Sequence, residues 1–211
     1  FGNQDWAYYL LSQIFIVIAF LYVWKFSNLI FKNKLHSLFS IFLLEGVYYY
    51  NFTTPEFNVN VCQLPFWSLV IYYTWKSINY EKISDLILLG TFMAIGFLTK
   101  YLFIYLIISV KIIFLLKLIK EKNFNIKLLI PGLVFVVILI PHIIWLFQNN
   151  FITLIYAFNR TGITEINFIN HLLNPLLFFV KQIIILLPVF IMLALLIKFK
   201  KANLKILKKD K

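Results

Sequence analysis

The sequence predicts an all-α, polytopic transmembrane helix bundle, and three observations predict it. Apolar residues make up 62% of the 211 residues and charged residues 13%, about half the charged share of a soluble domain. The apolar residues gather in runs long enough to cross a bilayer, and the lysines collect in alternate breaks between those runs. Mean hydropathy is +0.88. A helix rises about 1.5 Å per residue and a bilayer core is about 30 Å thick, so about 20 apolar residues make a span.

On that measure the chain holds about seven spans, near 8–30, 35–50, 59–78, 84–99, 101–119, 128–147 and 178–197. The first run is long enough to span and lacks the small-residue cleavage site of a signal peptide. The second is short and is extended by the aromatic, polar 47-VYYYNF-52. The third follows 53-TTPEFN-58. The fourth and fifth must be two helices rather than one. From Ser84 to Ile119 the only charges are Asp85, Lys100, Lys111 and Lys117, and a single helix of that length would run about 54 Å. The chain therefore has to turn back near Thr99-Lys100. Residues 148–177 form a partly amphipathic outer loop expected to lie along the membrane surface. Residues 1–197 are the membrane region, and the basic 198–211 is a tail.

Five Trp, 12 Tyr and 24 Phe suit interface belts and lipid-facing helices, and the Tyr48-Tyr49-Tyr50 cluster is first of all such a belt. The one cysteine, Cys62, excludes an internal disulfide and offers no cysteine metal cluster. No Gly-rich phosphate loop, zinc spacing or Ser-His-Asp pattern is present.

The lysines orient the bundle. Alternate breaks place Lys25, Lys32, Lys34, Lys76, Lys82, Lys117, Lys120, Lys122 and Lys127 on one side, with the seven lysines from Lys198 onward. Nine and seven make sixteen of the 20 Lys and Arg, so this side is cytoplasmic by the positive-inside bias. The net charge of +12 is thus mostly topology and gives no reason to expect nucleic acid. The opposite side receives Lys100, Arg160 and Lys181, and Lys111 stays within a span.

That lysine-poor side also collects Glu56, Asn58, Asn60, Glu165 and, near the end of the sixth span, His142. Charged groups at membrane depth are costly unless solvated or paired, which makes each a functional candidate. Each also has a plain reading. An interface lysine snorkels to headgroups. Glu56, after Pro55, would cap the third span, where a carboxylate favours the helix dipole. His142 would be a satisfied polar group and His171 a loop residue. Glu45 and Lys111, inside spans, would pair or snorkel.

Four stretches, 1-FGNQDWAYYLLSQ-13, 45-EGVYYYNFTTPEFNVNVCQLPFW-67, 89-LGTFMAIGFLTKY-101 and 141-PHIIWLFQNNF-151, resemble the bacterial polyprenyl-phosphate-dependent glycosyltransferases of the protein mannosyltransferase type. This is family thirty-nine, which includes the aminoarabinose and lipid A galacturonosyl transferases. The resemblance implies a GT-C fold in the bacterial cytoplasmic membrane with the active site on the outer face. It also implies a polyprenyl-phosphate sugar donor and a lipid, glycan or protein acceptor, lipid A among them. Lys100 in 98-LTK-100 matches the family's phosphate-contacting lysine, and Arg160 would add to phosphate or sugar contacts. Glu56 matches a second acidic residue that places the acceptor or the sugar. Tyr49, Asn58 and His142 are weaker substrate-contact candidates. In the family the principal catalytic acid lies on a first outer loop after a first span. This chain begins beyond such a loop, so it is expected to be a fragment that is inactive by itself, and Asp5 does not stand in for the missing acid. No residue is assigned to a metal. No histidine precedes Arg160 where some relatives offer a metal ligand, which leaves a divalent ion open. The alternative is a non-catalytic transporter or flippase, which would gather polar groups near the bilayer midplane.

Overall fold

The computed structural model describes the backbone of residues 4–121, 125–160 and 168–209, and the side chains of 4–121, 125–159 and 173–197. Among the described residues every regular element is helical. The order is α1 (Asp5–Phe31), α2 (Lys34–Glu45), α3 (Tyr48–Asn51), α4 (Val59–Tyr80), α5 (Ile83–Thr99), α6 (Ile104–Glu121), α7 (Ile130–Gln148), α8 (Ile152–Arg160) and α9 (Phe168–Lys209). Short 3-10 turns lead into α6 and α7, at Tyr101–Phe103 and Ile126–Leu129. The fold is an all-α polytopic membrane bundle, as the hydropathy predicts.

Helix α4 sits at its centre, packed between α1 and α5, and α5 packs in turn on α7. The core joins Val70 of α4 to Leu86, Leu89 and Met93 of α5 and to Phe103, Ile107 and Val110 around the start of α6. Helix α9 packs on α2 and turns most of its described side chains outward.

Four segments among the described residues are long and apolar enough to cross a bilayer: Asp5–Phe31, Tyr101–Glu121, Ile126–Gln148 and Leu173–Ile197. The other three of the seven expected spans differ from these for visible reasons. Helix α5 is shorter, at 17 residues. Helix α4 has 22 residues and buries Gln63, Ser68, Thr74 and Ser77 against its neighbours, so a central helix needs less hydropathy than a lipid-facing one. The second span is interrupted. Helix α2 ends at Glu45 after 12 residues, the chain bends at Gly46-Val47, and α3 follows as a single turn. Within the expected outer loop, α8 and the first turns of α9 are helical.

The lysine-rich end is tied by polar contacts. Ser37 Oγ donates to Asn28 Oδ1 at 2.7 Å across the α1–α2 turn, and Lys76 Nζ meets Asp85 Oδ1 at 2.6 Å across the α4–α5 turn. Glu81 closes α4 in a left-handed conformation, φ 49°. Its carboxylate accepts from Lys117 Nζ and, at 2.5 Å, from Asn125 Nδ2. Lys117 also donates to the Ile78 carbonyl at 2.5 Å. Two helices, α4 and α6, and the entry to α7 therefore meet at one carboxylate.

The Lys117 ammonium holds the Glu81 carboxyl below its ordinary value of 4.5, against the opposing effect of burial, and Asn125 lowers it further. A carboxyl whose folded pKa is lowered stabilises the fold above its unfolded pKa and loses that contribution as pH falls through the folded one. The thermal unfolding temperature of Glu81→Gln in detergent is accordingly expected below the wild type's at neutral pH. The two should converge on acidification below about pH 4.5. A difference that stays constant over that range would show that the carboxylate's charge is not what matters.

Candidate functional site

The site is built at the lysine-poor end, and its first requirement is the turn at Lys100. Gly96 makes that turn feasible. A Cβ at Gly96 would lie 2.5 Å from the Phe103 ring, so only the bare glycine backbone lets Phe103 fold back on α5. Phe103 is fully buried and packs edge-on against Trp67 of α4, with ring centroids 5.4 Å apart. Helix α5 stops at Thr99, whose Oγ1 donates to the Gly96 carbonyl at 2.6 Å. Lys100 is extended, φ −161° and ψ 127°, and its carbonyl accepts from Phe103 N–H at 2.9 Å. The turn expected from length is a break of one residue.

That break points Lys100 across to α4, where Nζ donates to Asn60 Oδ1 at 2.7 Å. Asn60 stands in the first turn of α4, whose cap is Asn58. The Asn58 side chain accepts from the N–H groups of Asn60 and Val61 at 2.9 and 3.3 Å, satisfying two donors that a helix start leaves open. The preceding loop is pinned to α1 by Ser12 Oγ donating to the Thr54 carbonyl and by Phe57 packing on Phe15, with centroids 5.2 Å apart. Beside Lys100, the Tyr101 hydroxyl meets His142 Nε2 and Thr153 Oγ1, each at 2.9 Å. His142 stacks on Trp145, 5.9 Å between centroids. The rim thus joins the starts of α4 and α6 to the ends of α5 and α7 and the start of α8.

Of the residues singled out by sequence, Lys100, Asn58, Asn60 and His142 belong to this rim. Glu56 lies on the same loop as Asn58, exposed, and its carbonyl accepts from Asn58 Nδ2 at 3.3 Å. The carboxylate makes no hydrogen bond or ion pair among the described residues. Glu56 therefore does not cap α4; Asn58 does, because its shorter side chain reaches the N–H groups at the helix start from the capping position. Tyr49 is exposed on α3, with its ring edge-on to Tyr48, and no hydrogen bond joins it to Lys100. The Arg160 side chain, Glu165 and the His171 side chain lie outside the described residues. Tyr101 and Thr153 were not singled out by sequence. The pairing of Tyr101 with His142 spans 41 residues, and the one hint of it is a tyrosine directly after the candidate lysine.

Chemically the rim offers a cation without a carboxylate partner. Lys100 forms no ion pair among the described residues, and Asn60 uses one of the three donors on its ammonium. Among the described residues two donors remain for an anion. Among the described residues no three His, Cys, Asp or Glu side chains come together as a metal-ligand set.

This fold defines a multi-pass membrane protein, and the Lys100 rim lies at the ends of its helices. The family model described as dolichyl-phosphate-mannose-protein mannosyltransferase matches residues 1–145, and the chain belongs to that family of membrane glycosyltransferases. The match contains Glu56, Asn58, Asn60, Lys100, Tyr101 and His142, and stops short of Thr153. No curated protein and no solved structure matches the chain.

Proposed function

We propose that the protein transfers a sugar from a polyprenyl-phosphate donor to a lipid, glycan or protein acceptor at the lysine-poor face, the outer face of a bacterial cytoplasmic membrane. The observation that carries this reading is Lys100. It stands at the rim of a glycosyltransferase-family bundle, held by an amide and paired with no carboxylate among the described residues.

In the transfer an acceptor oxygen bonds to the sugar's anomeric carbon as the bond to the phosphate oxygen breaks. The leaving group is a lipid phosphate, and its growing charge needs a cation already in place. Lysine supplies a point charge for that purpose. Arg160 adds a second cation to the donor phosphate. Glu56, exposed on the loop held by Ser12 and capped off by Asn58, places the acceptor or the sugar by accepting hydroxyl donors. Asn58, His142 and Tyr49 contribute contacts around it.

In the full-length protein, Glu56→Gln keeps size and removes charge. Sugar transfer is expected to fall about tenfold, the loss of one charge-assisted hydrogen bond, with normal membrane insertion. Transfer at the wild-type rate would leave the carboxylate without a role. The face is tested separately. Reporters fused near Asn79 and Asn123 are expected to read cytoplasmic and one near Asn149 external. A cytoplasmic reading at Asn149 would move the rim to the wrong side of the membrane for an externally acting transferase.

A further inference from the structure

Glu45 is the least accounted-for charge in the bundle. It ends α2, within the membrane region, and is half-buried. Its carboxylate has no hydrogen bond or ion pair among the described residues. An unpaired carboxylate at that depth is costly and calls for a cation. Glu45 lines a cavity of about 320 Å³ between α2–α3 and α9, together with Tyr48, Asn51, Phe52, Ile184 and Pro188.

The other walls share a chemical bias. Pro188 has no N–H, so the Ile184 carbonyl lacks its helical donor. Asn51 offers an amide oxygen, and Tyr48 and Phe52 offer ring faces that attract cations. A carboxylate, two carbonyl-type acceptors and two aromatic rings, with no basic residue among the lining, make a receptor for a group that only donates. An ammonium is such a group, with three donors and no acceptor.

Two further features extend the match. Lys181 stands three and four positions before Ile184 and Ile185, hence on the same face of α9 and one turn toward the lysine-poor end. It is exposed and unpaired among the described residues. In the other direction along the α2–α9 seam lies a second, separate apolar cavity of about 230 Å³ between Phe39, Leu43, Met192 and Leu196. Gly46 lies between the two, where α9 packs directly on its backbone: a Cβ there would lie 2.9 Å from the Met192 sulfur. From outside inward the seam presents a cation, then acceptors, then hydrocarbon.

We propose that this crevice binds one phospholipid with a phosphoethanolamine head, drawn from the membrane half at the lysine-poor end. Its ammonium meets Glu45, Asn51 and the free Ile184 carbonyl. Its phosphate lies toward Lys181, and its acyl chains run along the outward-facing side of α9. A choline head has no N–H to donate and a glycerol head has no cation, so the site discriminates among lipids that share the same tails. The inference does not depend on the transfer reaction.

The test is lipid selectivity. The full-length protein, purified in detergent and stripped of lipid, is titrated with dioleoyl phosphatidylethanolamine, phosphatidylcholine and phosphatidylglycerol while native mass spectrometry counts bound lipids. The ethanolamine lipid is expected to bind at least about tenfold more tightly than the other two. Glu45→Gln should bring the three to parity, and Lys181→Gln should weaken the ethanolamine lipid. Equal binding of all three by the wild type overturns the site, as does an undiminished preference in Glu45→Gln. If that variant does not purify, Ile185→Trp, which fills the cavity wall, decides. Loss of the preference supports the site, and its retention overturns it.

Discussion

Lys100→Gln is expected to lower sugar transfer by about ten- to a hundredfold in the full-length protein while leaving membrane insertion intact. The magnitude is that of one charge-assisted contact to phosphate, about 1.5–3 kcal/mol. Among the described contacts of this rim Lys100 is the only lysine or arginine, so the loss of its charge is not offset within them. Lys100→Arg is expected to recover only part of the rate. A planar fork does not reproduce a point charge, and the longer head has to share its place with Asn60. Asn60→Ala should fall between wild type and Lys100→Gln, since it leaves the ammonium present but unaimed. Donor-lipid binding and turnover measured on all three variants separate this from a lysine that merely snorkels. Unchanged donor binding in both Lys100 variants would remove the phosphate role.

The largest effect on the fold is expected from Gly90→Val. At Gly90, α5 meets α7 backbone to side: a Cβ would lie 2.5 Å from the Pro131 carbonyl oxygen and 2.8 Å from the Val134 Cβ. Neither neighbour is the far end of a flexible chain, so the helices themselves must separate. Overpacking of this kind costs about 1–3 kcal/mol, with a branched side chain toward the upper end. Separation also reaches the rim, because the same pair of helices carries Phe97 against Phe135, at 5.8 Å between centroids, and Tyr101, just beyond the end of α5, meets His142 of α7. Gly90→Val should therefore unfold at a markedly lower temperature in detergent and lose transfer along with it. Gly132→Ala is the matched control. A Cβ there meets nothing within 4 Å, and alanine is the better helix former by about 1 kcal/mol, so its stability is expected to equal or slightly exceed the wild type's. Similar losses in the two variants would mean that the α5–α7 approach is not what explains Gly90.

The sequence by itself determined the class of the molecule, the place of its helices and the turn at Lys100. Those features rest on length and hydropathy, which are local and additive: 84–119 is too long for one span wherever it packs. The sorting of the lysines is legible for the same reason, since it counts residues between spans. What the helices do to one another was not legible. Asn60 is 40 residues from Lys100 and Thr153 is 52 from Tyr101, and nothing in either stretch marks the other as its partner. The Glu81–Lys117–Asn125 junction and the cap at Asn58 were hidden likewise. So was the break of the second span at Gly46, where apolar residues continue on both sides. Helix α4 shows why. Its polar residues weaken it as a span by composition, yet they are buried because it lies between α1 and α5. A helix's environment is set by the rotation and depth at which it meets its neighbours. Those two quantities follow from side-chain packing between distant segments, which only the tertiary structure decides.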